Sequence, residues 1–124
     1  MIDIIRHVIV FMVDVTDGVT GMDEVIADLL RRSQKPIFLA INKVDNAQRL
    51  EATLEFYSLG FEQFYSISSI NGSGSGELLD DIVKKLPKEE EREEDPLPRF
   101  AVVGRPNAGK SSFINALIGE DRYI

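Results

Sequence analysis

The residues of this chain that most clearly carry chemistry run from Gly104 to Ser111, which read GRPNAGKS and fit the pattern GxxxxGK[ST]. The two glycines of the pattern permit a backbone path that side chains would obstruct, so successive N–H groups point at phosphate oxygens. Lys110 supplies a positive charge to the β- and γ-phosphates of a nucleotide, and the Ser111 hydroxyl can ligate Mg²⁺. The pattern predicts a phosphate-binding loop. The structural alternative is a glycine-rich β–α turn without a ligand.

A second motif, Asn42-Lys43-Val44-Asp45, follows a predicted strand. In a parallel α/β sheet, ligands bind at the edge where the strands end. A carboxylate at that edge can accept hydrogen bonds from guanine N1–H and N2–H₂, and leaving it unpaired against adenine is costly. Alone the motif is a weak pattern, since an ordinary turn from a strand to a helix, with Asp45 or Asn46 as N-cap, can have the same sequence. Beside a phosphate-binding loop it indicates guanine recognition.

Alternating strands and helices are predicted around these motifs. Runs rich in β-branched and aromatic residues predict buried strands at 7–13, 37–41, 64–67 and 100–103. Apolar residues at helical spacing predict helices at 22–32, from 46 or 47 to about 58, at 76–86 and at 110–117. This order predicts an α/β fold with a parallel sheet that helices cover on both faces.

Two groups of apolar residues are expected to face the core. The first predicted helix should bury one face made of Val25, Ile26, Leu29 and Leu30. Four aromatic residues are interpreted as core rather than as a stacking platform for bases: Phe56, Tyr57, Phe61 and Phe64.

Composition narrows the class of protein. The chain has 124 residues and a formal net charge of −7, from 14 Lys and Arg against 21 Asp and Glu. This balance argues against broad binding to nucleic acid or to an anionic membrane, since both need a basic face. Disulfides and thiolate metal sites are excluded because there is no Cys, and one His leaves little room for a His-based site. No apolar run is long enough to span a bilayer and no signal peptide is visible, so we expect a soluble, cytoplasmic domain.

An acidic stretch at 88–98, KEEEREEDPLP, marks one internal boundary. It has six acidic residues and no apolar periodicity, which is typical of a solvated linker, and an acidic docking segment is the alternative. The stretch separates residues 1–87, which hold the base-reading motif, from residues 99–124, which hold the phosphate-binding strand and helix.

Together the motifs resemble those of translation-factor-class small GTPases. NKVD, the later Ser68-Ser69-Ile70 and GRPNAGKSS look like the fourth, fifth and first motifs of that class. More specifically, the phrases VDVTDGVTGMD and LLRRSQKPIFLAINKVD are similar to the second half of the first G domain of the Der (EngA) family, bacterial GTPases with two tandem G domains. Residues 61–86 continue this similarity, 88–98 match the inter-domain linker, and 99–124 are similar to the start of the second G domain.

The resemblance implies a site for GDP or GTP with Mg²⁺. It implies that guanine is held by Asn42, Lys43 and Asp45, with the backbone of Ser68 and Ser69 near guanine O6 and Ile70 completing that motif. Ser69 departs from the family, whose members usually have Ala there. The residues implied to cradle the phosphates are Asn107, Ala108, Gly109, Lys110, Ser111 and Ser112, with Ser111 on Mg²⁺. Because the family assists assembly of the large ribosomal subunit, that subunit is the implied partner of the parent protein.

The motif order allows two architectures. In one, the two halves belong to different domains and their nucleotide elements never meet. In the other, the chain folds as one circularly permuted domain, a three-layer G-domain-like sheet of about four strands in which strand 100–103 lies beside strand 7–13. The 11 residues of 88–98 can span up to about 36 Å, which makes this closure easy. Because a lone βα unit cannot bury its apolar strand, we expect the permuted domain or a domain-swapped dimer.

Parts of the family's catalytic machinery are missing from the sequence. No Gly has an Asp three residues before it, so the third motif, DxxG, is absent, and the chain stops at Ile124, where the first switch should follow. Because these parts position water and sense the third phosphate, we expect guanine-nucleotide binding with little or no hydrolysis. A second hypothesis is a non-catalytic folding or interaction module that binds no nucleotide. A third is an ATP-using P-loop enzyme, which NKVD and the lack of a recognisable Walker B carboxylate disfavour.

Overall fold

A computed structural model describes residues 8–44, 46–68, 74–85, 100–105 and 108–118. Five of the sequence predictions lie outside these residues: the acidic linker at 88–98, and the site residues Asp45, Ser69, Ile70 and Asn107.

The core of the fold is one four-stranded sheet. Its strands are β1 (Val8–Asp14), β2 (Ile37–Asn42), β3 (Gln63–Ser66) and β4 (Phe100–Gly104). The strand order is β3-β2-β1-β4, and all three pairings are parallel. This confirms the predicted parallel sheet, with the last strand in the chain lying beside the first. Because β4 pairs with β1 of its own chain, the arrangement gives the domain-swapped dimer no support.

Helices cover both faces of the sheet, as predicted. They are α1 (Gly21–Ser33), α2 (Ala47–Ala52), α3 (Ser75–Lys85) and α4 (Lys110–Ile118), with 3₁₀ helices at Val15–Asp17 and Thr53–Leu59. One core cluster joins β1 and β2 to α3 and α4 and includes Val10, Met12, Phe38, Leu78, Ile82 and Phe113. The other joins the opposite face to α1 and the Thr53–Leu59 helix and includes Phe11, Val13, Leu39, Ala27 and Phe56. Among the described helices, none is long and apolar enough to cross a membrane.

The predicted helix at 46–58 is two helices. The side chain of Asn46 accepts a hydrogen bond from the Arg49 N–H and starts α2, which gives way to the 3₁₀ helix at Thr53. The Thr53 hydroxyl donates to the carbonyl of Leu50, which offers the backbone a local alternative to continued α-helix. The 3₁₀ helix ends at Gly60, whose φ of 85° is the left-handed conformation that glycine adopts at helix ends.

Two of the predictions about the core are wrong in part. Of the four apolar residues predicted on one buried face of α1, Val25 and Leu29 are more than half exposed. The face that packs on the core contains the other two, Ile26 and Leu30, together with Asp23 and Ala27. Asp23 is buried because it hydrogen-bonds with Thr20 and Arg105, and its burial places it on the side of the helix that faces the core. Tyr57 and Phe64 are also exposed and stack on each other at the outer edge of the sheet, with ring centroids 4.2 Å apart.

Candidate functional site

The two predicted motifs lie at the same edge of the sheet. In the register of the strands, Gly104 of β4 is level with Met12 of β1, and Asp14 of β1 is level with Asn42 of β2. The carboxyl ends of β1, β2 and β4 therefore meet where parallel α/β sheets bind their ligands. The sequence separates these strands widely, and the sheet order brings them together.

Asn42 connects the two motifs directly. Its side-chain Nδ2 donates a hydrogen bond to the carbonyl of Ala108 in the phosphate-binding loop, at 2.8 Å, and the residue is only 2% exposed. This hydrogen bond stabilises the fold, because the buried carbonyl of Ala108 would cost about 1 to 3 kcal/mol if it had no donor. Asn42, predicted to hold guanine, thus also holds the phosphate-binding loop against the end of β2.

Both glycines of the phosphate-binding pattern are required by close approach. Gly104 has φ 153°, and a Cβ on it would lie 2.5 Å from the carbonyl oxygen of Met12. Gly109 has φ 99°, and a Cβ there would collide with Nδ2 of Asn42. Positive φ at both glycines is the backbone conformation that the sequence pattern predicts for this turn from a strand into a helix.

The helix that follows presents the predicted phosphate and metal ligands. The N–H of Phe113 donates to the carbonyl of Gly109 at 3.0 Å, which closes the first turn of α4 behind the loop. Lys110 is half-buried at the helix start and makes no ion pair within the described part of the chain, and Ser111 and Ser112 are exposed. An ammonium and hydroxyls at a helix N-terminus suit an anionic phosphate.

The same residues fit a phosphate-bound Mg²⁺ better than a metal held by protein alone. No group of three or more His, Asp or Glu suited to a metal is found among the described residues. Mg²⁺ on a nucleotide keeps several waters and takes one or two protein ligands plus phosphate oxygens. The exposed Ser111 hydroxyl can serve as that ligand.

Lys43 pairs with a carboxylate at the end of β1. Lys43 has φ 70°, an uncommon backbone conformation for a residue other than glycine. Its Nζ lies 2.8 Å from Oδ2 of Asp14, which is buried at the end of β1. Burial alone would raise the pKa of Asp14, but the hydrogen bonds from Lys43 and from Thr16 outweigh it, so that pKa is lowered. Asp14 therefore stays ionised and fixes the Lys43 side chain.

The predicted motif at 68–70 begins beside the base-reading motif at 42–45. The N–H of Ile67 donates to the carbonyl of Ile41, and the carbonyl of Ile67 accepts from the N–H of Val44, both at 2.9 Å. Ser68 follows and is 3% exposed. These backbone bonds place the start of the Ser68-Ser69-Ile70 motif beside Asn42 and Lys43.

Arg105, a variable position of the phosphate-binding pattern, ties the loop to α1. Its Nε lies 3.2 Å from Oδ1 of Asp23, and its Nη2 lies 2.9 Å from Oδ2 of Asp17. Asp23 is fully buried and its other oxygen accepts from the N–H of Thr20, which forms the capping box of α1. The hydrogen bond to Asp17 and the charge of Asp23 raise the pKa of Arg105 against the opposing effect of burial, so the guanidinium is permanently charged.

The structure thus brings together the predicted residues Asn42, Lys43, Ser68, Ala108, Gly109, Lys110, Ser111 and Ser112 at one edge of the sheet. Sequence reasoning missed Asp14, Asp23 and Arg105. Asp23 carried a local signal, because Thr20 and Asp23 have the spacing of a capping box. The pairing of Arg105 with residues more than 80 positions earlier carried none.

Two family models match complementary parts of the chain. The model described as "Elongation factor Tu GTP binding domain" matches residues 5–88. The model described as "50S ribosome-binding GTPase" matches residues 99–124. The first contains the base-reading motif and the second contains the phosphate-binding loop.

Curated relatives are similar over nearly the whole chain. A GTPase Der of Christiangramia forsetii is 66% identical over 116 residues, and one of Flavobacterium johnsoniae is 60% identical over 119 residues. A GTPase Der of Streptococcus pyogenes is 50% identical over 117 residues. The matches cover 94% of this chain but only 27% of each relative.

A solved structure shares the fold. The crystal structure of YjeQ from Thermotoga maritima superposes with a TM-score of 0.64, covers 91% of this chain and 38% of its own, and is 19% identical in sequence. At that identity the likeness concerns the fold alone.

Proposed function

Because the chain belongs to the family of the elongation factor Tu GTP binding domain, we propose that it binds GDP or GTP, with Mg²⁺, in one site at the carboxyl edge of its sheet. In this proposal Asn42, Lys43 and Asp45 recognise guanine, and the loop and first turn from Asn107 to Ser112 hold the phosphates. Ser68, Ser69 and Ile70 complete the guanine side, and Ser111 is the metal ligand.

The hydrogen bond from Asn42 to Ala108 is the observation that carries the proposal. If the two halves of the chain belonged to separate sites, we would not expect contact between the end of β2 and the phosphate-binding loop. Instead a buried side chain joins them at 2.8 Å. One nucleotide can therefore reach both motifs, which favours the circularly permuted arrangement over two unrelated halves.

We further propose that this chain hydrolyses GTP slowly or not at all. The support is the sequence, which has no DxxG motif to hold the water of the metal and to sense the third phosphate. Ordinary turnover of GTP by the purified chain would contradict this part of the proposal and leave the binding site intact.

Titration calorimetry of the purified chain with GDP and, separately, with ADP tests the proposal, both with Mg²⁺ present. We expect GDP to bind and ADP to bind at least about 100-fold more weakly, because a carboxylate unpaired by adenine is costly. Equal affinity for the two nucleotides would favour a general phosphate site. No binding by a folded monomer would favour the non-catalytic module.

Two substitutions separate the roles of the motifs. Asp45→Ala should weaken GDP but leave inorganic pyrophosphate unchanged, because a carboxylate that reads the base does not touch phosphate. Lys110→Ala should weaken both ligands. Equal loss of both with Asp45→Ala would refute the proposed division between base and phosphate recognition.

The partner of the parent protein is a separate proposal. The family model that matches residues 99–124 is described as a 50S ribosome-binding GTPase, and the similar GTPase Der sequences are about four times longer than this chain's match. We propose the large ribosomal subunit as a partner of such a longer protein. The net charge of −7 gives no support to contact between this chain and ribosomal RNA.

A further inference from the structure

The β1–α1 segment, residues 14–23, holds both motifs of the proposed site with its carboxylates. Asp14, at one end, pairs with Lys43 of the base-reading motif at 2.8 Å. Asp17 and Asp23 pair with Arg105 of the phosphate-binding loop at 2.9 and 3.2 Å. Three acids within ten residues of chain thus reach two motifs that the sequence places more than 60 residues apart.

The segment is itself held firmly at both ends. Oδ1 of Asp14 accepts hydrogen bonds from the N–H and the hydroxyl of Thr16, at 2.8 and 2.5 Å. Asp23 is fully buried, and Thr20 and Asp23 exchange two hydrogen bonds of 3.1 Å. Between them, the N–H of Val19 donates to Oε2 of Glu55. A segment fixed in this way can set the position of what it binds.

We propose that the β1–α1 segment sets the separation between the base-reading motif and the phosphate-binding loop, with Asp14, Asp23 and Arg105 as positioning residues. This rests on the proposed function, since the two motifs must share one nucleotide. None of the three residues needs to touch that nucleotide: each acts through Lys43 or through the backbone of the loop.

The physical reason is the gain from linked binding. A guanosine and a diphosphate joined in one molecule bind much more tightly than the separate parts only if both half-sites are engaged at once, and this gain is lost when their spacing is wrong. The Asn42 bond to Ala108 fixes one point of the loop. Arg105, three residues earlier in the loop, fixes a second point through Asp17 and Asp23 and so fixes the orientation of the loop as well.

Titrations of three ligands with Arg105→Met test this: GDP, guanosine and inorganic pyrophosphate. We expect the GDP affinity to fall about tenfold or more while guanosine and pyrophosphate each stay within about twofold, because both half-sites survive and only their linkage suffers. Arg105→Lys should recover part of the GDP affinity, since it retains a charge for Asp23. Circular dichroism and thermal melting establish that each variant is folded.

Arg32→Met is the matched control. Arg32 pairs with Asp28 at 2.9 Å on the exposed side of α1, its side chain is 73% exposed, and it makes no ion pair with the described residues of either motif. It should leave all three affinities unchanged. A loss of GDP affinity as large as that of Arg105→Met would mean that any loosening of α1 has this effect, and would overturn the proposal.

Two other results would also overturn it. GDP affinity unchanged in Arg105→Met would show that the pair sets no spacing. Pyrophosphate weakened as much as GDP would show that Arg105 maintains the phosphate half-site itself. If the unaltered chain bound no GDP, the proposed function would fail separately. Hydrogen exchange at the amides of 108–113 would then decide: faster exchange in Arg105→Met than in Arg32→Met supports the positioning role, and equal exchange refutes it.

Discussion

The base-reading end of β2 and the phosphate-binding loop after β4 are built on different supports. Strand β2 lies between two neighbours, and its residues Phe38 to Asn42 are all buried. Among the described strands, β4 pairs with β1 alone, and its Ala101 is exposed while Val102 and Val103 are half-buried. The backbone of the sheet fixes the first motif, whereas side chains from elsewhere must fix the second.

This difference indicates where the proposed site is vulnerable. The loop after β4 depends on Asn42 from β2, and on Asp17 and Asp23 from the β1–α1 segment. The backbone at the end of β2 is held by ladder hydrogen bonds that no single side-chain change removes, and the side chains of Asp14 and Arg49 add to them. Substitutions at the supports of the loop should therefore have larger effects on binding than substitutions around the end of β2.

The largest effect is expected from Gly109→Ala. The new Cβ would collide with the Asn42 amide, and a φ of 99° is strained for any residue but glycine. We expect a loss of more than about 1 kcal/mol in the free energy of unfolding and no measurable GDP binding. Urea denaturation and titration calorimetry measure the two quantities.

Gly76→Ala provides the control for that substitution. Gly76 lies in α3, and a Cβ on it has no neighbour within 4 Å. Alanine there should raise the free energy of unfolding by about 0.5 to 1 kcal/mol and leave GDP binding as it was. If Gly109→Ala also kept its stability and its GDP affinity, the loop could not approach Asn42 as closely as the structure shows.

Asn42→Ala should have the next largest effect. It leaves the buried carbonyl of Ala108 without its 2.8 Å donor, so the free energy of unfolding should fall by about 1 to 3 kcal/mol. GDP affinity should fall about tenfold or more, because the loop is released and the proposed contact of Asn42 with guanine is lost. The measurements are denaturation and calorimetry on the same preparations.

Asn46→Ala is a comparison for that loss. Asn46 caps α2 through a 2.8 Å hydrogen bond from the Arg49 N–H, so alanine should cost about 1 kcal/mol of stability. It should not alter GDP affinity, because the hydrogen bond that it removes lies at the start of α2. Similar losses of GDP affinity in the two variants would contradict a special tie between Asn42 and the loop.

The fold could be predicted from the sequence because each element carries its own local signal. The buried strands read as continuous β-branched and aromatic runs, and the glycines required at 104 and 109 stand in the phosphate-binding pattern itself. The apolar sequence of β4 predicted that it packs into a sheet, and its place beside β1 was what the resemblance to G domains implied. The elements are properties of short stretches of sequence, whereas the strand order needed the resemblance.

The supports of the site could not be predicted in this way. Asp14 and Asp17 stand among turn-forming residues, and nothing nearby indicates that their carboxylates reach Lys43 and Arg105. The spacing of Thr20 and Asp23 indicates a capping box but not the full burial of Asp23 beside Arg105, and Val25 and Leu29 of the same helix are exposed. Such contacts depend on how strands far apart in the chain come together, which single-sequence patterns do not record.

Acidic pH should weaken the support that Asp14 gives to Lys43. Burial favours the neutral carboxyl, but the hydrogen bonds from Lys43 and Thr16 leave the pKa of Asp14 below its ordinary value. A carboxylate with a lowered pKa in the folded state stabilises fully above its unfolded pKa, and this stabilisation is lost as the pH falls through the folded pKa. The stability gap between the unaltered chain and Asp14→Asn should thus narrow between about pH 5 and about pH 2.

Denaturation of both proteins across that range measures the gap. Asp28→Asn is the control, because Asp28 pairs with Arg32 in solvent and should show little pH-dependent difference. A gap for Asp14→Asn that stays constant down to about pH 2 would mean that the carboxylate contributes no charge-dependent stability.

The smallest effect is expected from Arg49→Ala, which tests the other side of the comparison. Nη1 of Arg49 donates to the carbonyl of Lys43 at 3.2 Å, just after β2. Because the bonds of Ile67 to Ile41 and Val44 already hold this turn, its loss should cost no more than about 1 kcal/mol and change GDP affinity by less than about threefold. A loss of GDP affinity equal to that of Asn42→Ala would show that the end of β2 also relies on side chains, and the two motifs would then be supported alike.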